Sequence, residues 1–143
     1  MTDSEAIRDV VARYNLYGDS GRFDELLALF TDDTTLVTDR ASYDGVAQIR
    51  RMFETVAGPT PERVRHFTAT HVIDVDGDEA TSRCYFQVLT AAGLDHWGRY
   101  RDQLTRVDGR WLFTRREVRV DGMTPGGWAD QRMPEHRRSH EAP

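Results

Sequence analysis

The sequence predicts an α+β fold, a cone-shaped α+β barrel in which three N-terminal helices pack on a strongly curved antiparallel sheet. Two observations predict it. Up to about residue 57 the apolar side chains recur every three or four positions, the period of helices, whereas from Val64 onward they alternate with polar ones, the period of strands. The alternating half is also cut by Asp76-Gly77-Asp78 and Asp108-Gly109, turn signals that join neighbouring strands antiparallel.

The first helix opens at Thr2, where Glu5 three residues later completes a capping box, and its apolar face carries Ile7, Val10, Val11, Tyr14 and Tyr17. Gly18 is read as its end, which leaves Asp19 at the break. Phe23, Leu26, Leu27 and Phe30 outline a shorter second helix, and Thr34 to Thr38 is a short β-branched strand. Val46, Ile49, Phe53 and Val56 mark a third helix, stopped by Gly58-Pro59 and followed by a loop over Thr60 to Glu62. Long strands are then predicted over Val64 to Asp74, Ala80 to Thr90, His96 to Val107 and Trp111 to Asp121, with Ala91 to Asp95 as a connection. After Gly122 the periodicity disappears into a Gly-, Pro- and Arg-rich stretch. Residues 1–122 therefore read as one domain and 123–143 as a tail, partly ordered at best.

Composition narrows the function. A chain of 143 residues with 38% hydrophobic and 30% charged side chains suits one soluble globular domain. No apolar run is long enough to span a bilayer, so no membrane partner is predicted. A net charge of −5 argues against nucleic acid, which needs a basic surface. The acidic start, Met1 to Glu5, lacks the marks of a secretory leader. The single cysteine, Cys84, has no partner for an internal disulfide, so the expected compartment is the cytoplasm.

A curved sheet closed by helices encloses a conical pocket, so the chemistry depends on which polar side chains point inward. Tyr14 on the first helix, Asp19 at its end and His66 on the first long strand form the most reactive set. His66 can take and return a proton near neutral pH. Asp19 could accept the other ring N–H, fixing the tautomer. The Tyr14 phenol could donate to a carbonyl as negative charge develops. Each also has a structural role open to it: Asp19 as a cap, His66 as a satisfied strand histidine, Tyr14 as core with its hydroxyl on a backbone group.

Alternation puts His96, Gly98, Tyr100, Asp102 and Leu104 on one face, with Trp97, Arg99 and Arg101 on the other. Tyr100 and Asp102 are thus candidate substrate contacts or a polar pair at the rim. Arg116 is a candidate for binding a carboxylate or carbonyl, with surface placement as the default for it and Arg115. His71, an odd number of positions from His66, should face away from it. Trp97, Trp111 and Phe113 are candidates for an apolar patch on the convex face. Arg132, Arg137 and Arg138, interrupted by Glu135 and Glu141, read as a solvated tail with His136 and His140. No close ligand spacing marks a metal site and no glycine-rich fingerprint marks a nucleotide, so no cofactor is predicted. Arg99 and Arg101 point away from Asp102, which disfavours an Asp–Arg–Asp epoxide-opening site.

Several short motifs occur in a set order: Tyr14-x4-Asp19, Phe23-Asp24-x-Leu26, Leu29-Phe30-x-x-Asp33, Arg65-His66-Phe67, Gly98-x-Tyr100-x-Asp102 and Asp108-Gly109-x-Trp111. With them the chain resembles SnoaL-like proteins of the nuclear-transport-factor-two-like superfamily over roughly residues 5 to 121. The resemblance is nearest to its scytalone dehydratase and bile acid 7α-dehydratase branch, and it implies that Tyr14, Asp19 and His66 are catalytic. Scytalone dehydratase has a second histidine on the next strand, where this chain carries Cys84. The resemblance implies a cofactor-free lyase or isomerase, foremost a dehydratase acting on a small apolar oxygenated substrate such as a steroid or polyketide. Polyketide cyclase, a non-catalytic ligand-binding protein and a small structural subunit of an oxygenase are the alternatives. A homodimer or higher homo-oligomer is the implied assembly.

Overall fold

A computed structural model describes residues 1–57 and 63–132. Helix α1 (Asp3–Ser20) begins with the capping box foreseen at Thr2 and Glu5, both halves of which are made. It does not stop at Gly18. It runs two residues further, to Ser20, and is capped by Gly21, whose left-handed φ of 69° needs no Cβ and whose N–H returns to the Gly18 carbonyl. A glycine inside a helix costs about 1 kcal/mol, too little to end one that buries Ile7, Val10, Val11, Tyr14 and Tyr17.

Helix α2 (Phe23–Leu27) is shorter than its pattern suggested, because Phe30 belongs to the strand that follows. Strand β1 (Phe30–Val37) is longer than the run from Thr34 to Thr38, and β2 (Ser42–Asp44) folds back on it in a hairpin that the sequence did not reveal. Helix α3 (Gly45–Ala57) comes next. The long strands are β3 (Arg65–Asp76), β4 (Glu79–Thr90), β5 (Gly93–Val107) and β6 (Arg110–Met123). A five-residue helix, α4 (Trp128–Arg132), lies inside the stretch read as tail, and its Ala129 and Asp130 are buried. The predicted stop at Gly58-Pro59, the loop after it, and His136, Arg137, Arg138 and His140 lie outside the described residues.

The six strands form one sheet in the order β2-β1-β6-β5-β4-β3. The β3-to-β6 meander is antiparallel as predicted, but β1 joins β6 in parallel, so the sheet is mixed. Its concave face is lined by Ala80, Ser82, Cys84, Phe86 and Val88 of β4 and by Tyr100, Asp102 and Leu104 of β5, all buried. Helix α1 covers β3 and β6, and α3 covers β1. No helix among the described residues is long and apolar enough to cross a membrane.

Three sequence expectations on facing need correction. The Ala69/Val72 register shift, with Thr70 at a φ of 55°, inserts an extra residue and moves the odd-numbered positions of β3 to the inner face. His71 therefore faces the same side as His66, and its Nε2 lies 2.6 Å from the buried Ser82 Oγ. Trp111 and Phe113 are core, only 4% and 0% exposed, rather than convex-face residues. The exposed apolar side chains of the outer face are Phe67, Val72, Tyr85 and Trp97. The third correction concerns Arg116, which is not at the surface: its side chain is fully buried.

Candidate active site

The two added residues of α1 place Asp19 at the C-terminal end of a helix, where a carboxylate meets the negative pole of the backbone dipoles at a cost of about 0.3–1 kcal/mol. Its contacts offset this. One carboxylate oxygen lies 2.6 Å from His66 Nδ1, and the other accepts the His66 backbone N–H at 2.9 Å. Holding ring and backbone together, a single carboxylate sets both the tautomer and the orientation of His66. With Nδ1–H donated to Asp19, His66 Nε2 keeps the lone pair that a base needs. Asp19 is nearly sealed, its side chain 7% exposed, while that of His66 retains 26%, so the pair sits at the mouth of the cone.

Beside it lies a second pair that sequence reasoning missed. Asp95 and His96, adjacent in sequence at the start of β5, are both buried, with Asp95 Oδ2 2.8 Å from His96 Nδ1. The His96 ring stands edge-on to His66 with centroids 6.4 Å apart. A signal was present, since His96 falls on the face shared by Tyr100 and Asp102. The acid next to it was read as a loop residue.

Below the mouth lie aromatic and charged side chains. Tyr14 is buried and meets Phe30, Phe53, Tyr100 and Phe113 edge-on, with centroids 5.9 to 6.1 Å away. The Arg116 guanidinium lies 4.1 Å from the Tyr14 ring centroid and 3.8 Å from that of Tyr100. Cross-strand pairing brings Asp102 opposite Arg116, with Oδ1 2.9 Å from Nε and Oδ2 accepting from Nη2 at 3.3 Å. Arg116 Nη1 and Thr34 Oγ1 are buried and find no hydrogen-bond partner among the described residues. Tyr100 donates its hydroxyl hydrogen to Asn15 Oδ1 at 3.1 Å. Phe86 connects this group to the mouth, stacked 4.6 Å from Tyr100 and 6.4 Å from His66.

The sequence candidates thus fall into two groups: Asp19 with His66 at the mouth, and Tyr14, Tyr100, Asp102 and Arg116 in the interior. Burial pushes the Tyr14 phenol up to about 12, with Arg116 opposing, so it is a proton donor and not a base at neutral pH. Tyr100 is raised well above its ordinary value, again chiefly by burial. Burial also lifts the Asp102 carboxyl to about 6 against the pull of Arg116. Arg116 remains a cation, because Asp102 and the surrounding phenols outweigh its own burial. His71 is lowered by burial and by Arg8 and Arg116. Cys84 is buried and pushed up to about 11, so it is an inert thiol.

Two grooves lie elsewhere. One, of about 440 Å³, is flanked by α1, α2 and the β5–β6 turn. The other, of about 310 Å³, lies over β4, β5 and β6 and includes Arg83, Arg101 and Arg115. Neither includes Asp19 or His66.

Helices closing a curved sheet place the chain in the class of cystatin-like, NTF2-like folds. Within it, the chain belongs to the SnoaL-like domain family, which it matches over residues 1–117. A protein of unknown function with a cystatin-like fold from Nostoc punctiforme shares that fold, with a TM-score of 0.80 at 24% identity over 86% of this chain and 94% of the other. A protein of unknown function from Mycobacterium tuberculosis, in an Asp-to-Asn variant, is 30% identical, covering 87% of this chain and 73% of its own, with a TM-score of 0.74. A Novosphingobium aromaticivorans protein provisionally named scytalone dehydratase is 26% identical, covering 87% and 91%, with a TM-score of 0.75. No curated protein matches the chain.

Proposed function

We propose that the protein is a cofactor-free dehydratase that removes water from a small apolar β-hydroxy carbonyl compound. The observation that carries this reading is the two-point grip of Asp19 on His66, 2.6 Å at the ring and 2.9 Å at the backbone. In the proposed reaction His66 Nε2 removes the proton next to the carbonyl, and the electron pair of that C–H bond forms the new C=C bond. The C–O bond to the β-hydroxyl breaks, and the departing oxygen takes a proton from the His66 imidazolium, directly or relayed through His96 Nε2, and leaves as water. Asp19 stabilises the imidazolium between the two transfers. Tyr14, which stays protonated, is the donor proposed for the carbonyl oxygen, and Arg116 behind its ring holds positive charge where the enolate forms. The provisional name of the Novosphingobium relative points to the same reaction.

The test is His66→Ala assayed on a panel of cyclic β-hydroxy ketones by the absorbance of the enone. General-base loss should lower kcat/KM by about 10² to 10⁴. Equal turnover by parent and variant removes His66 from the mechanism. A second reading, a binding or small structural subunit that docks through the sheet, is favoured by Phe67 (50% exposed), Tyr85 (59%) and Trp97 (40%) on the outer face. The same face would serve the homodimer. That reading gains if the parent turns over no member of the panel and sediments as a larger assembly.

A further inference from the structure

Helix α4 lies beyond the family segment, which ends at residue 117, and it is held against the mouth by an unusual amount of local structure. Five residues cannot sustain a helix unaided. Asp95 sustains this one: its Oδ1 accepts the Trp128 backbone N–H at 2.6 Å and its Oδ2 accepts that of Ala129 at 3.0 Å. The same Oδ2 meets His96 Nδ1. Approach this close needs a glycine at 127, where an added Cβ would stand 2.6 Å from Asp95 Oδ1. The chain leading in is tied down as well, since Thr124 donates its backbone N–H to Asp95 O and its hydroxyl to Leu94 O, each at 2.7 Å. The result lays the Trp128 ring nearly parallel to His96, with a 16° tilt and centroids 6.1 Å apart. One carboxylate therefore joins the cap of α4 to the ring of a histidine beside His66.

We infer that α4 is part of the catalytic site, with Asp95 and Trp128 as positioning residues that set the tautomer and orientation of His96. The inference rests on the proposed acid–base reading of the site for its effect on turnover, but not for its geometry. Asp95 fixes the proton on Nδ1 and thereby the role of Nε2. Trp128 restricts rotation of the imidazole. Docking of α4 and the placement of His96 are linked, because one carboxylate serves both the cap and the ring.

The experiment compares Asp95→Asn, Gly127→Ala, Trp128→Ala and Trp128→Phe with the full-length parent. Nitrogen-15 NMR reads the His96 tautomer, and the pH profile of turnover on the ketone panel reads its consequence. An asparagine that keeps its oxygen on the Trp128 N–H turns its amide N–H toward the ring, so the proton of His96 should move to Nε2. Gly127→Ala changes no polar group and should displace the cap, giving the same loss of Nδ1–H signal. Turnover should fall about tenfold or more in these two variants and in Trp128→Ala, with the acid limb of the pH profile displaced, and Trp128→Phe should restore most of it. Retention of Nδ1–H in both Asp95→Asn and Gly127→Ala overturns the inference. So does a shifted tautomer that leaves turnover and its pH profile unchanged. If the parent turns over nothing on the panel, the dehydratase reading fails, and the NMR comparison still decides whether α4 positions His96.

Discussion

Replacing Asp19 by asparagine separates the chemistry of the mouth from its stability. The carboxylate makes two contacts, with the His66 ring at 2.6 Å and the His66 backbone N–H at 2.9 Å. Asparagine has one acceptor oxygen, which can keep the backbone contact, so the fold should lose only about 1 kcal/mol. Its amide must then face Nδ1 as a donor, which forces the His66 proton onto Nε2 and removes the lone pair proposed as the base. Turnover should fall by about 10² to 10⁴, while the urea midpoint shifts by less than about 1 M. Asp19→Ala loses both contacts, including the charge-assisted one, and should cost about 2–4 kcal/mol together with the activity. Nitrogen-15 NMR of His66 in parent and variant, beside urea unfolding and the enone assay, measures all three quantities. If Asp19→Asn retains Nδ1–H on His66, or turns over as fast as the parent, the reasoning is refuted.

Two further outcomes follow from the interior. Burial lifts the folded Asp102 carboxyl to about 6, above the ordinary aspartate value of about 3.9, so the folded state holds this proton more tightly than the unfolded chain. Ionising Asp102 therefore costs stability: relative to Asp102→Asn, the parent should lose about 3 kcal/mol as pH rises from about 4 to about 6. Urea unfolding of both proteins across that range checks it, and parallel curves would contradict it. Gly98 sits at a register shift between β5 and β6, where an added Cβ would stand 1.9 Å from the Arg119 carbonyl oxygen. Gly98→Ala should cost about 3 kcal/mol and lower Tm by roughly 10 °C in calorimetry, and an unchanged Tm would show that the strands can spread there.

Chain rhythm carried most of the architecture, because the periods of helix and strand follow from backbone geometry alone. The capping box at Thr2 and the turns at Gly77 and Gly109 were legible for the same reason: each is a local device whose partners lie within a few residues. The misreadings arose where a distant contact overruled a local preference. Gly18 looked like a stop, yet the buried face of α1 carried the helix on to Ser20 and gave Asp19 its place. Strict alternation sent His71 outward, but one inserted residue near Thr70 reversed the face of the rest of β3. Arg116 looked like a surface residue because a lone arginine usually is. Only the register of β5 on β6 gave it Asp102, and only the packing of α1 gave it the face of Tyr14.

By itself, the sequence determined the class of fold, the order of its longer elements and the residue types on which an acid–base site could draw. Tertiary structure decided which of those residues meet. Asp19 and His66 are 47 positions apart, and Asp95 lies more than 30 positions before the helix it caps, so neither contact belongs to any local pattern. Such pairs form because the sheet curves and the helices close over it, and that curvature is a property of all the strands together, written in no single one of them.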